Sequence, residues 1–90
     1  MRVQTKVKVG KAIQYLGNIE EIAKEFGVDY KEYFSYTYYK DKKYMDYKIF
    51  YKDGSYEDIL AGDYIFQGDN EDKPKVISIF DFEEYWEEAK

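Results

Sequence analysis

The chain has no cysteine and no histidine. The first absence excludes disulfides and thiolate chemistry and suits a reducing cytoplasm. The second removes the commonest general base and the commonest transition-metal ligand. Proline occurs once, as Pro74, and glycine six times in 90 residues, which argues against a low-complexity or disordered chain. No apolar run approaches the roughly 18 residues of a membrane helix, and residues 1–6 lack the apolar region of a signal peptide. The expectation is one domain over residues 1–90, cytoplasmic and without a membrane partner.

Charge and aromaticity are what the sequence does have. The net charge of −5 is unevenly spread. Residues 1–48 carry ten Lys/Arg against seven Asp/Glu, a net +3; residues 49–90 carry four against twelve, a net −8. Such polarity steers encounters with basic partners. It argues against the acidic half gripping nucleic acid, because a phosphate-binding surface needs a positive field. Twelve of the residues are tyrosine, and they crowd the middle of the chain.

Val3, Thr5, Val7 and Val9 alternate with Gln4, Lys6 and Lys8, which predicts one half-buried strand over 3–9. Ala12, Ile13 and Tyr15 extend it past Gly10, read as a bulge. Asn18 is a good N-cap, with Glu21 placed as a capping-box carboxylate. Ile19, Ile22, Ala23 and Phe26 share one face of a helix over 19–26, closed by Gly27. Residues 30–52 read as a hairpin turning at 41–43, with Met45, Tyr47, Ile49 and Tyr51 on one side. Asp53-Gly54 turns into a strand over 56–60. Gly62 and Gly68 bracket Tyr64-Ile65-Phe66, apolar on both sides of the pleat as in a central strand. After a loop over 68–74 comes a short strand, Val76 to Ile79. A last helix is capped by Asp81, with Phe82, Tyr85, Trp86 and Ala89 inward and Glu83, Glu84, Glu87 and Glu88 outward. The fold class is α+β: a curved, mainly antiparallel sheet of five or six strands, one helix after the first strand and one at the C-terminus.

Three segments, Lys11 to Gly17, Gly62 to Gly68 and Phe82 to Glu87, resemble a group of small phage and prophage proteins of Gram-positive bacteria. In that group an AIQ-aromatic-x-G segment precedes a short acidic helix, a GDYII-x-G strand follows a hairpin, and an F-E-x-x-Y-E helix closes the chain. The resemblance covers most of the chain except the tyrosine-rich hairpin. The group carries a Tyr-Pro-Cys-Lys-Pro stretch where this sequence has residues 68–78 without cysteine, so no role of that cysteine carries over. The resemblance implies a phage-derived context and this order of elements, and supplies no catalytic residues.

Two constellations suggest a working surface. Glu83, Glu84, Glu87 and Glu88, joined by Asp69, Glu71 and Asp72 of the preceding loop, make an acidic array that a basic nucleic-acid-binding groove would attract; the plainer reading is a solvated face. Tyr36, Tyr38, Tyr39 and Tyr44 offer large contact area at low entropic cost; the plainer reading is a small sheet clad in tyrosine. Asp69-x-Glu71-Asp72 lacks the spacing of a calcium loop, so no metal or other cofactor is expected. Glu57 and Asp58 point to opposite faces of a strand and are no acid–base pair. Gly62 and Gly68 make no phosphate loop, and Ser35, Ser55 and Ser78 have no histidine to activate them. The expectation is no enzyme. It is a phage-encoded accessory protein that binds another protein, most sharply an anti-CRISPR-like inhibitor of a host defence nuclease, in an infected or lysogenic bacterial host. Alternatives are a nucleotide or small-ligand binder acting as a sponge for a defence signal, and a phage structural or assembly component forming homo-oligomers.

Overall fold

A computed structural model describes residues 1–5 and 8–88. The architecture is α+β, with eight strands in two antiparallel sheets and two helices. In chain order these are β1 (Arg2–Gln4), β2 (Val9–Gln14), α1 (Ile19–Phe26), β3 (Asp29–Tyr39), β4 (Lys42–Phe50), β5 (Tyr56–Ile59), β6 (Tyr64–Gly68), β7 (Lys75–Ile77), α2 (Ile79–Tyr85) and β8 (Glu87–Glu88). The five-stranded sheet runs β7-β6-β2-β1-β8 and the three-stranded sheet β3-β4-β5. This corrects the expected single sheet of five or six strands. No helix among the described residues is long and apolar enough to cross a membrane.

The expected strand over 3–9 is two strands. The chain reverses after Gln4, with Thr5 N–H donating to the Lys8 carbonyl at 2.7 Å, and Arg2 pairs with Lys11. Val7 and Lys6 of that expectation lie outside the described residues. The helix therefore follows the second strand, not the first. Gly10 is no bulge: it stands in regular register between Val3 and Gly68. A Cβ there would collide with the Gln67 carbonyl oxygen, so glycine is what lets β6 approach β2.

Helix α1 has its expected bounds, closed by Gly27 in the left-handed conformation. Lys11 Nζ donates to the Glu25 carbonyl at 3.1 Å, a cation at the helix C-terminus, where the dipole favours it. The hairpin turns on Lys40 and Asp41, both at positive φ, one residue earlier than expected and without glycine.

The five-stranded sheet is buried on both faces. Tyr15, Ile19, Ile22, Phe26, Val28, Ile49, Tyr51, Ile59 and Ile65 pack one core between that sheet, α1 and the smaller sheet. Val3, Ala12, Phe66, Ile77 and Phe82 pack a second one under α2. Tyr64-Ile65-Phe66 serves both: Ile65 enters the first, while Phe66 and the partly buried Tyr64 enter the second. That is the physical content of a run apolar on both sides of the pleat. The strand is interior, flanked by β2 and β7.

Glu57 joins the sheets. Its Oε1 accepts from the Tyr51 hydroxyl at 2.6 Å and from Val76 N–H at 3.1 Å, linking β5 to β7. Burial, with that hydrogen bond second, raises the Tyr51 phenol well above its ordinary pKa. Asp58, its neighbour, accepts from the Tyr33 hydroxyl instead.

Candidate partner-binding surface

The C-terminal segment is held by an aromatic ladder. The Phe82 ring stacks on Tyr64 with centroids 3.5 Å apart and planes 2° apart. Phe82 also lies parallel to Trp86, which leans on Phe66 at 4.3 Å. Helix α2 starts earlier than expected because Ser78, not Asp81, is the cap: its Oγ accepts from Asp81 N–H at 3.2 Å. It stops at Tyr85, and Trp86 turns extended. Glu87 and Glu88 then pair with Gln4 and Val3 of β1. Ala89 lies outside the described residues.

The four glutamates therefore do not share a helical face. Glu83 and Glu84 stand on α2, while Glu87 and Glu88 belong to a strand and point to opposite sides of it. Gln4 Nε2 donates to Glu87 Oε1 at 3.1 Å. All four are exposed, and among the described residues no lysine or arginine forms an ion pair with any of them or with Asp81.

The loop acids differ. Arg2 bonds Asp69 at 2.5 Å, and that hydrogen bond holds the Asp69 carboxyl below its ordinary pKa. Lys8 Nζ stands 3.8 Å from Glu71 Oε1, too far for a hydrogen bond, and that oxygen is buried without one. Asp72 is exposed on the rim of a hollow of about 510 Å³ between α1 and the loop, floored by Phe26, Tyr51 and Pro74. Lys73 on the same rim is tied to Asp53 at 2.9 Å and Ser55 at 2.8 Å, and the Ser55 and Lys73 bonds push the Asp53 carboxyl down.

Asp69 and Glu87 fall in one cross-sheet row, Asp69–Val9–Gln4–Glu87. Three strand spacings separate them, about 14 Å. Arg2 and Lys11 stand opposite one another two rows along. The loop and the C-terminal segment are thus two acidic patches with bases between them, not one continuous surface. Among the described residues, the acidic patch without an ion pair is α2 with β8.

Of the four tyrosines, Tyr36 and Tyr38 are exposed, at 51% and 72%. Tyr44 is half-buried against the first core, next to Gly17, and offers little to a partner. Tyr39 is half-buried too, its ring lying where a Cβ on Gly62 would be 3.1 Å away. Tyr64, whose phenol is raised by burial first, also feels Tyr39 and Glu83. The hairpin tip and α2 therefore come together over Gly62, where the Tyr39 ring and Ile79 would lie 3.1 and 3.4 Å from an added Cβ.

Sequence reading missed three residues. Phe80 and Tyr85 on α2 are 80% and 63% exposed beside the glutamates. Tyr85 is expected inward, but the short helix ends there and Trp86 takes the inner place. Phe34 on β3 is 78% exposed, at a positive φ of 58°. A run of aromatics gives no signal of which ring a bulge will turn out. Among the described residues no three carboxylates converge as metal ligands. Compared with protein-family models, with curated proteins and with solved structures, the chain matches none.

Proposed function

We propose that this is a small phage-encoded accessory protein that binds another protein, most sharply as an anti-CRISPR-like inhibitor of a host defence nuclease. The observation that carries the reading is the set of exposed carboxylates Asp81, Glu83, Glu84, Glu87 and Glu88, free of ion pairs among the described residues, with Phe80 and Tyr85 exposed beside them. Carboxylates in that array stand in for phosphates before a basic groove. Phe80 and Tyr85 supply the desolvated anchors that charge alone does not. Tyr39, at the edge of the same surface, extends it towards the hairpin. The resemblance to phage proteins supports the setting. The test is DNA binding by RNA-guided nucleases of Gram-positive bacteria with the protein added. The wild type should block loading and Glu83→Lys with Glu84→Lys should not; equal inhibition by both would refute the decoy.

A second reading, a nucleotide or small-ligand binder, has one observation in its favour. Lys31 and Lys48 stand directly opposite each other on β3 and β4, with the single carboxylate of Asp58 across from Lys48 on β5, so the trio keeps a net positive charge that an anion would meet. Lys48 Nζ lies 4.3 Å from the Tyr56 ring centroid and 5.4 Å from that of Tyr33. Thermal shift against cyclic and ADP-ribose-type nucleotides separates the readings, because only a nucleotide binder is stabilised.

A further inference from the structure

Strands β2 and β6 meet at Gly10 and Gly68. Neither residue carries a side chain, so the sheet face on which Phe66 packs under α2 has a bare floor there. The Glu71 side chain lies on that floor: a Cβ on Gly68 would collide with its Oε1. Lys8, two residues before Gly10, reaches the carboxylate from one side, its Nζ 3.8 Å from Oε1. Lys75, opposite Phe66, stands on the same face, its Nζ 6.0 Å from the Phe66 ring centroid. Two amines and one acid therefore share a recess at the open end of the second core.

Lys75 also lines a hollow of about 320 Å³, with Val76, Ile77, Asp81, Tyr85 and Trp86. Among the described residues it forms no ion pair, although Asp81 faces the same hollow. We propose that Lys75 is a reactive amine, and that it takes small aromatic aldehydes from this hollow as imines. The site is distinct from the partner-binding carboxylates and stands or falls without them.

The reaction balances without a further reactant. The neutral amine adds to the carbonyl carbon and a C–N bond forms. The carbonyl oxygen then leaves as water with both amine protons. Nothing is oxidised or reduced.

The surroundings of Lys75 favour the neutral form that attack requires. A lysine set against apolar surface and beside a second cation is the arrangement that makes an amine nucleophilic. Here the Phe66 ring supplies the first and Lys8 the second. Burial, and after it Lys8, hold the Lys75 ammonium below its ordinary pKa, while Glu71 and Glu57 of β5 oppose them. Asp81 and Tyr85 are the titratable groups that face the hollow from α2. The Tyr85 and Trp86 rings give a flat aromatic aldehyde surfaces to stack on.

Salicylaldehyde with cyanoborohydride tests the assignment, because reduction fixes each imine where it forms. Peptide mass spectrometry then ranks the lysines. Near neutral pH Lys75 should be labelled severalfold faster than any other lysine, and its pH profile should have the lowest midpoint. Emission of Trp86, the sole tryptophan, should fall as the label enters, and should not fall in Lys75→Gln. Lys8→Met should raise the Lys75 midpoint, Lys8→Arg should keep it low, and Glu71→Gln should lower it further. Labelling of Lys75 no faster than of other lysines, a midpoint that Lys8→Met leaves in place, or Trp86 emission indifferent to the label would each overturn the proposal. Circular dichroism checks that each variant is folded, and the two Lys8 variants decide the matter if Glu71→Gln is not.

Discussion

Tyr64 and Phe82 stack face to face, their planes 2° apart. This contact ties the interior strand β6 to the helix that displays Glu83 and Glu84. Truncating Phe82 removes a buried ring from the second core and the middle of its ladder. Phe82→Ala should cost about 3–5 kcal/mol and shift the emission of Trp86, the sole tryptophan, to the red. Urea unfolding with fluorescence checks both. A loss under about 1 kcal/mol with unchanged emission would mean that α2 is held by something else.

Asn18 and Glu21 meet differently from a standard capping box. The Asn18 amide donates to Glu21 Oε1 at 2.8 Å and to the Gln14 carbonyl at 3.1 Å, and its Oδ1 accepts from Leu16 N–H at 2.8 Å. Its side chain accepts no cap bond from a backbone N–H of the first turn of α1. Asn and Asp are interchangeable as ordinary caps. Here Asn18→Asp removes two donors and faces a carboxylate with another, so it should cost about 1–3 kcal/mol. A neutral or stabilising result in denaturant titration would contradict this geometry.

Tyr15 sets an alkaline limit. Its hydroxyl donates to the Met45 carbonyl at 2.7 Å, and burial, with Tyr47 and Asp46 nearby, pushes the phenol from 10.0 up to about 12. The folded value is the raised one. The contribution to stability is therefore whole below pH 10.0 and is lost as pH rises to about 12. Tyr15→Phe should lose about 1 kcal/mol at neutral pH and decline less steeply across that window. Parallel curves for the two proteins would contradict the assignment.

Some of the fold was legible because local and tertiary signals agreed. Helix α1 has a 3.6-residue apolar period and a glycine stop, and its bounds come out as Ile19–Phe26. The double burial of β6 was legible from three apolar residues between glycines. The β1–β2 reversal was hidden because the sequence between the two strands has no glycine, proline or asparagine, and its valine alternation continues from one strand to the next. The end of α2 was hidden because Phe82 to Glu88 has helical propensity throughout. Pairing with β1 overrides that propensity. For the candidate surface, the glutamates were legible as charges. Their division between helix and strand was not, and neither was the pairing of Asp69 with Arg2. Both depend on residues more than sixty positions apart.

The central claim is that the α2–β8 carboxylates carry partner binding. It is tested most directly by capturing a partner from lysates of Gram-positive bacteria and following its release. The account predicts that wild-type protein loses the partner as salt rises from about 50 to about 200 mM, that duplex DNA competes for it, and that Glu83→Lys with Glu84→Lys does not capture it. Retention of the partner by that variant, or capture indifferent to both salt and DNA, would contradict it.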